Sequence, residues 1–193
     1  WVENHTFTPF KLQSEGRFGY SVALLENKAF IGYPGYNQKG EVHVYSFDEN
    51  TWKNQQIINS DLAEEKSYFG SSVDAKGDRL AIGSFNVNLF KLESGTYTIS
   101  QTLAPQNFSG SKFGRSLFLD EKRLVVGATY GQLAYLYSET DDQNWTIKEV
   151  LSSSKRSQSM VNNYSPCSVG NLDNYYKKGG LADRKYPCSG IDF

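Results

Sequence analysis

The stretch FGYSVALLENKAFIG, residues 18–32, decides the fold, because it begins with Phe-Gly, ends with Ile-Gly and recurs further along the chain. The second copy is FGSSVDAKGDRLAIG, residues 69–83, and the third is FGRSLFLDEKRLVVG, residues 113–127. In all three the second glycine follows the phenylalanine by 14 residues. A repeat at this scale sets the architecture of a chain. The sequence therefore predicts one structural unit built three times.

Each copy continues with an apolar run and then a segment opened by an aromatic residue, at Trp52, Tyr97 and Trp145. The first copy predicts four short strands, at roughly 20–25, 28–33, 41–47 and 52–58. Four antiparallel strands in about 45 residues is the period of a β-propeller blade. An aromatic content of 15% and 17 glycines also favour short strands and tight turns. We expect an all-β fold with about three four-stranded blades, a partial propeller.

The order of these features resembles the FG-GAP repeat of integrin α-subunit propellers and related secreted proteins. The resemblance covers residues 18–151, and residues 7–12 look like the outer strand of a preceding blade. No copy keeps the complete Gly-Ala-Pro motif, which reads Gly32-Tyr33-Pro34, Gly83-Ser84-Phe85 and Gly127-Ala128-Thr129. We divide the chain into residues 1–17, the end of a preceding blade and a linker, residues 18–151, three blades, and residues 152–193, a Ser-rich linker and a cysteine-containing tail.

Members of this family often bind calcium in an Asp-x-Asp-x-Asp-Gly turn between the first two strands of a blade. The corresponding turns here are Leu25–Lys28, Asp74–Asp78 and Asp120–Lys122, and none has enough carboxylates. We therefore expect neither calcium nor another cofactor. Asp74 with Asp78 comes nearest to a calcium site.

Catalysis is not expected either. His43 lies in a predicted strand, where packing is its expected role, and neither Gly-x-Ser-x-Gly nor a phosphate-binding glycine loop occurs. A net charge of −1 gives no reason to expect nucleic acid as a partner. The chain contains no apolar run of about 18 residues, so this segment is not expected to span a membrane.

Two features favour an extracellular or cell-surface location. Four Asn-x-Ser/Thr sequons are candidate glycosylation sites, at Asn4, Asn107, Asn144 and Asn163. The two cysteines, Cys167 and Cys188, fit one local disulfide in a secreted protein. Two free buried thiols in a cytosolic protein remain the alternative.

The first functional hypothesis is a protein-binding or adhesion scaffold whose loops meet a ligand, with glycans as a further class of partner. The loop aromatics Tyr33, Tyr36 and Tyr130 are the candidate contact residues. A structural subunit of an extracellular or cell-surface assembly is the alternative, and a non-catalytic part of a larger secreted enzyme is a third hypothesis. Three blades cannot close a ring, so we expect the end blades to meet other blades, partner subunits or the tail.

Overall fold

The computed structural model describes residues 5–59, 67–105 and 112–152. Its strands form three four-stranded antiparallel sheets, which we call blades 1, 2 and 3, and within each the strands pair in sequence order. Blade 1 consists of β1 Val22–Leu25, β2 Lys28–Tyr33, β3 Glu41–Asp48 and β4 Thr51–Asn59. Blade 2 consists of β5 Ser72–Lys76, β6 Arg79–Gly83, β7 Val87–Glu93 and β8 Thr96–Leu103. Blade 3 consists of β9 Phe113–Leu119, β10 Arg123–Ala128, β11 Leu133–Glu139 and β12 Trp145–Ser152.

The predicted all-β fold, a partial propeller of three four-stranded blades, is confirmed. Two 3-10 turns, Tyr36–Gln38 and Thr129–Gly131, interrupt the connections between the second and third strands of blades 1 and 3. Among the described residues there is no helix long and apolar enough to cross a bilayer.

Two-residue turns fix the strand register inside the blades. Glu49 and Asn50 join β3 to β4 with φ values of 49° and 63°, and Ser94 and Gly95 join β7 to β8 with φ values of 49° and 85°. A turn with positive φ at both central residues follows the right-handed twist of a hairpin, and asparagine and glycine tolerate this conformation. The turn at Glu49 and Asn50 therefore lies between the strands predicted at 41–47 and 52–58.

Each blade has a trailing face, toward the next blade in sequence, and a leading face, toward the preceding one. The trailing face of blade 1 packs on the leading face of blade 2 through one apolar cluster, which includes Phe30, Val42, Val44, Ile58, Phe69, Leu80, Ile82 and Tyr97. Blades 2 and 3 pack through a second cluster, which includes Ala81, Val87, Leu89, Leu103, Phe113, Leu124, Val126 and Trp145. Side chains alternate between the two faces along a strand. Blade 2 packs on a neighbouring blade through each face, so both of its faces must be apolar. Burying each large side chain contributes about 1.5–3 kcal/mol.

A serine at the start of the first strand, or just before it, also bonds to the backbone of the next blade. The Ser21 hydroxyl donates to the Gly70 carbonyl at 2.8 Å, and the Ser72 hydroxyl donates to the Gly114 carbonyl at 2.5 Å. A Cβ atom at Gly32 would collide with the Gly70 carbonyl oxygen. Because the second glycine of the repeat has no side chain, the next Phe-Gly turn can approach it closely. We call this contact the serine-glycine contact.

A glutamine on the fourth strand makes the outer contact. Gln56 receives the Tyr97 N–H and donates to the Tyr97 carbonyl, both at 2.9 Å. Gln101 holds Trp145 in the same way, at 2.8 and 3.0 Å. We call this pair of bonds the glutamine clamp. Each clamping glutamine comes directly after a β-bulge, where β4 and β8 each carry one extra residue at the same point of the blade. Such a bulge changes the direction of the side chains next to it.

Residues 5–13 cover part of the leading face of blade 1. The Phe7 ring lies 4.8 Å from the Tyr45 ring and 5.2 Å from the Trp52 ring, and the Tyr45 hydroxyl donates to the Thr8 carbonyl at 3.1 Å. Residues 7–12, which look in sequence like the outer strand of a preceding blade, lie outside every strand of the structure. The described residues contain no adjacent strand for them to pair with, so they pack through side chains instead.

The core also holds polar groups. Arg79 of blade 2 forms a two-pronged ion pair with Glu139 of blade 3, with its Nη2 at 2.6 and 2.8 Å from the two carboxylate oxygens. The buried Tyr97 hydroxyl has no hydrogen-bond partner among the described residues. Burial raises the pKa of Tyr97 to about 12, and burial does the same for Tyr137.

Candidate functional site

The turn that enters each blade has a repeated backbone geometry. The residue before each Phe-Gly pair is left-handed, with φ of 59° at Arg17, 55° at Tyr68 and 54° at Lys112. The glycine that follows has φ of 78° to 85° in all three copies. Because the first strand is antiparallel to the second, these turns lie at the same end of each blade as the connection between the second and third strands. We call this end the Phe-Gly rim.

Exposed aromatic side chains lie on the rim at blades 2 and 3. In blade 2, Tyr68 and Phe85 form an edge-to-face pair with ring centroids 6.2 Å apart, and both remain exposed. In blade 3, Tyr130 is 71% exposed, and the Lys112 ammonium lies 5.4 Å from the centre of its ring. The rim therefore presents aromatic surface together with a cation held by cation–π attraction.

The three loop tyrosines expected to contact a ligand differ in position. Tyr33 is only 1% exposed, its hydroxyl accepts the Gln13 N–H and donates to the Lys11 carbonyl, and its ring fills the space beside Gly16. Tyr33 therefore presents almost no side-chain surface to a ligand. Tyr36 is half-buried against the Tyr33 ring, and Tyr130 is on the surface as a contact residue must be.

Sequence reasoning missed Tyr68 and Phe85. Both were marked by the repeat: Tyr68 stands directly before Phe-Gly, in the place of Arg17 and Lys112, and Phe85 replaces the proline of the Gly-Ala-Pro motif. Aligning the copies for loop position as well as for strand position would have identified them.

His43 forms a short polar contact with Glu41 in the core. Its Nε2 lies 2.6 Å from a carboxylate oxygen of Glu41, and both side chains are buried. The rings of Phe18, Tyr33 and Tyr45 surround the imidazole. This arrangement agrees with the packing role expected for His43. The Glu41–His43 pair lies on the leading face of blade 1, and Phe18 packs on its imidazole. The pair can therefore hold β3 in place against residues 5–18.

The carboxylates at the first turn of blade 2 are used by the protein itself. Asp74 accepts the N–H groups of Ala75 and Leu119, at 2.9 and 2.7 Å, and Asp78 binds Arg79 at 2.7 Å. The bond from Leu119 links blade 3 to blade 2. Within residues 5–59, 67–105 and 112–152, no three His, Cys, Asp or Glu side chains are placed to share a metal ion.

Of the four sequons, Asn144 lies in the described part of the chain. It is exposed in the turn between β11 and β12, and Thr146 of its sequon is exposed at the start of β12. Asn4, Asn107 and Asn163 lie outside the described residues, as do Cys167 and Cys188.

Comparisons with known proteins support the fold alone. No family model matches the chain, and none of the curated proteins is significantly similar to it in sequence. Among solved structures, the chain is similar to the crystal structure of a protein from Lactobacillus plantarum, a structural-genomics target, with a TM-score of 0.55 and 12% sequence identity. The match covers 70% of this chain and 42% of that one, so the chain corresponds to less than half of that protein. At this identity the likeness is one of three-dimensional structure, in agreement with the all-β architecture.

Proposed function

We propose that this chain is part of an extracellular, glycosylated β-propeller of the FG-GAP type, a scaffold that binds a protein or glycan ligand at its Phe-Gly rim. The observation that carries the proposal is the exposed aromatic surface of Tyr68, Phe85 and Tyr130 at one end of two adjacent blades. Loops held by a rigid scaffold are where binding residues concentrate. Exposed tyrosines and phenylalanines are also among the residues enriched at interfaces.

The chemistry of the rim favours a ligand with apolar or ring-shaped groups and some negative charge. Tyr130 offers one open ring face to stack on such a group, and Lys112 beside it offers a cation. The rim supplies binding groups, and the Glu41–His43 pair at the same end of blade 1 is buried among aromatic rings. We therefore propose binding rather than catalysis.

The proposed extracellular or cell-surface location is supported by the Asn144 sequon. An acceptor asparagine must be reachable, and Asn144 is exposed in a turn that projects from the outer edge of blade 3. The disulfide between Cys167 and Cys188 belongs to the same proposal, because such bonds persist in oxidising compartments.

The rim is tested by screening the purified chain against a panel of extracellular-matrix proteins and a glycan array. A variant carrying Tyr68→Ser, Phe85→Ser and Tyr130→Ser should lose binding to whichever panel member the unmodified chain binds. The matched control carries Ile99→Ser, which removes an exposed apolar group from the middle of β8. Equal loss in both variants, or binding that survives in the rim variant, would refute the proposed site.

The alternative function, a structural subunit of an extracellular assembly, also has a specific observation in its favour. Leu24 on the leading face of blade 1 is 72% exposed, and Phe118 on the trailing face of blade 3 is 65% exposed. Large apolar side chains on the open faces of end blades are typical of surfaces that pack against another subunit.

A further inference from the structure

The trailing face of blade 3 retains the residues of the serine-glycine contact, one of the two polar contacts that join neighbouring blades. Ser116 stands where Ser21 and Ser72 stand in blades 1 and 2, and Gly127 stands where Gly32 and Gly83 stand. Ser116 is exposed, and no described residue accepts its hydroxyl proton. Among the described residues, the atoms nearest to a Cβ at Gly127 belong to Ser116, whereas a Cβ at Gly32 or Gly83 would collide with the Phe-Gly glycine of the next blade. Blade 3 therefore has an uncovered surface that can bind a Phe-Gly turn.

The apolar part of this face is open as well. Phe118, Val125 and Leu151 are exposed in blade 3, while their counterparts in blade 1, Ala23, Phe30 and Ile58, pack against blade 2. Ala134 and Leu136 are half-buried, although the corresponding Val42 and Val44 of blade 1 are fully buried. The described residues leave nothing over this surface.

The outer of these two polar contacts, the glutamine clamp, is missing from blade 3. Counting from the aromatic residue that opens the fourth strand, the clamp position holds Gln56 and Gln101 in blades 1 and 2 but Glu149 in blade 3. An ionised carboxylate accepts hydrogen bonds and donates none, so Glu149 cannot hold both the N–H and the carbonyl of one residue. The occupant of this face should therefore contact its inner half.

Blade 1 presents the matching half-face at the other end of the array. Within the described part of the chain, a Cβ at Gly19 would meet nothing within 4 Å, whereas Cβ atoms at Gly70 and Gly114 would press on the blade that precedes each of them. Leu24 and Val22 on β1 are exposed. The outer half of the same face is already covered, because Phe7 packs on Tyr45 and Trp52. Blade 1 thus needs a serine-glycine contact and needs no glutamine clamp.

From this complementarity we infer that the trailing face of blade 3 docks blade 1 of a second copy of this chain. The Ser116 hydroxyl donates to the Gly19 carbonyl of the second copy, and Phe118 packs on Val22 and Leu24. The contact joins two different surfaces, so it builds rings or open arrays according to the angle between copies. The inference goes beyond ligand binding at the rim and does not depend on it, because the contact uses none of the exposed rim aromatics Tyr68, Phe85 and Tyr130.

Complementary variants of the full chain test the contact by sedimentation equilibrium. The unmodified chain should self-associate, and Leu24→Lys alone and Phe118→Lys alone should each be monomeric, because each places a charge in the apolar contact. An equimolar mixture of the two should form a one-to-one dimer, in which the intact blade 3 of the Leu24→Lys copy meets the intact blade 1 of the other. Ile99→Lys, at a similarly exposed position on β8, is the control and should associate like the unmodified chain.

Two more conservative substitutions test which polar groups take part in the contact. Ser116→Ala should weaken association roughly two- to tenfold, the loss expected for one hydrogen bond. Glu149→Gln should change the association constant by less than about twofold. The residue that a glutamine there would clamp is Trp52 of the second copy, and Phe7 already covers it. Far-ultraviolet circular dichroism and the melting temperature show whether each variant is folded.

Three results would overturn the inference. The first is a monomeric unmodified chain up to roughly 100 μM, which would leave no contact of useful strength. The second is self-association of Leu24→Lys alone, which would mean that two trailing faces meet. The third is a tenfold gain from Glu149→Gln, which would mean that a full clamp forms and that the partner is not the covered blade 1.

Discussion

Replacing Gln101 with alanine should loosen the contact between blades 2 and 3. The side-chain amide makes two bonds to the backbone of Trp145, at 2.8 and 3.0 Å, and Trp145 is buried. A neutral hydrogen bond contributes about 0.5–1.5 kcal/mol net. The two bonds together predict a loss of about 1–3 kcal/mol in the free energy of unfolding. Gln101→Glu keeps the acceptor and loses the donor, so its loss should be about half as large.

Urea unfolding followed by tryptophan fluorescence measures this loss. Gln56→Ala should cost about as much as Gln101→Ala, because its two bonds to Tyr97 are equally short. Gln55→Ala is the matched control: the adjacent glutamine is exposed and makes one bond of 3.3 Å to the Gly95 carbonyl. Its cost should stay below about 0.5 kcal/mol. If Gln101→Ala cost no more than Gln55→Ala, the clamp would not contribute to stability and the reasoning would fail.

Other predictions concern the core, the turns and the surface. Tyr97→Phe should leave stability unchanged or raise it slightly near neutral pH, since the buried hydroxyl lacks a described partner. Burial raises the pKa of Tyr97 from 10.0 to about 12, so between these pH values the tyrosine ionises in the unfolded chain before it does in the folded one. The unmodified protein should therefore lose stability as the pH rises from 10 toward 12, and urea titrations across that window should show a smaller loss for Tyr97→Phe. Gly83→Ala should cost about 1–3 kcal/mol by overpacking against the Gly114 carbonyl, and Gly127→Ala clearly less, as compared by thermal melts. Glycosidase treatment of protein from its native source should lower the intact mass, and Asn144→Gln should remove one glycan; an unchanged mass in both comparisons would argue against glycosylation there. Millimolar calcium should leave the melting temperature unchanged, and a chelator-reversible rise of several degrees would show that the turns bind it.

The repeat made the blades predictable because its information is local. The glycine spacing and the turn-forming residues located the strands of blade 1 to within about two residues, and the alternation of apolar residues placed His43 in the core. Tyr33 could not be placed in this way. Its burial depends on residues 5–18 folding back so that Lys11 and Gln13 meet its hydroxyl, and this contact has no periodic signal.

The glutamine clamp was hidden for a different reason. An exposed polar residue and a clamping one look alike on an edge strand, as Gln55 and Gln56 do. Only the bulge in β4 decides which of the two binds both the N–H and the carbonyl of Tyr97. The sequence carried a signal for it nonetheless, because Gln56 and Gln101 follow their aromatic residues at the same spacing. That signal becomes meaningful once the facing backbone is known.

The serine-glycine contact and the glutamine clamp share a polarity: the side chain always belongs to the earlier blade, and the later blade contributes main-chain atoms. Main-chain carbonyls and N–H groups are present whatever residue occupies the position. A duplicated or transplanted blade therefore needs no matching partner residue for these bonds, provided that it enters through a close-packed glycine. Such an array can gain, lose or exchange units by gene duplication while each junction keeps its hydrogen bonds, and the receiving positions are free to diverge in sequence.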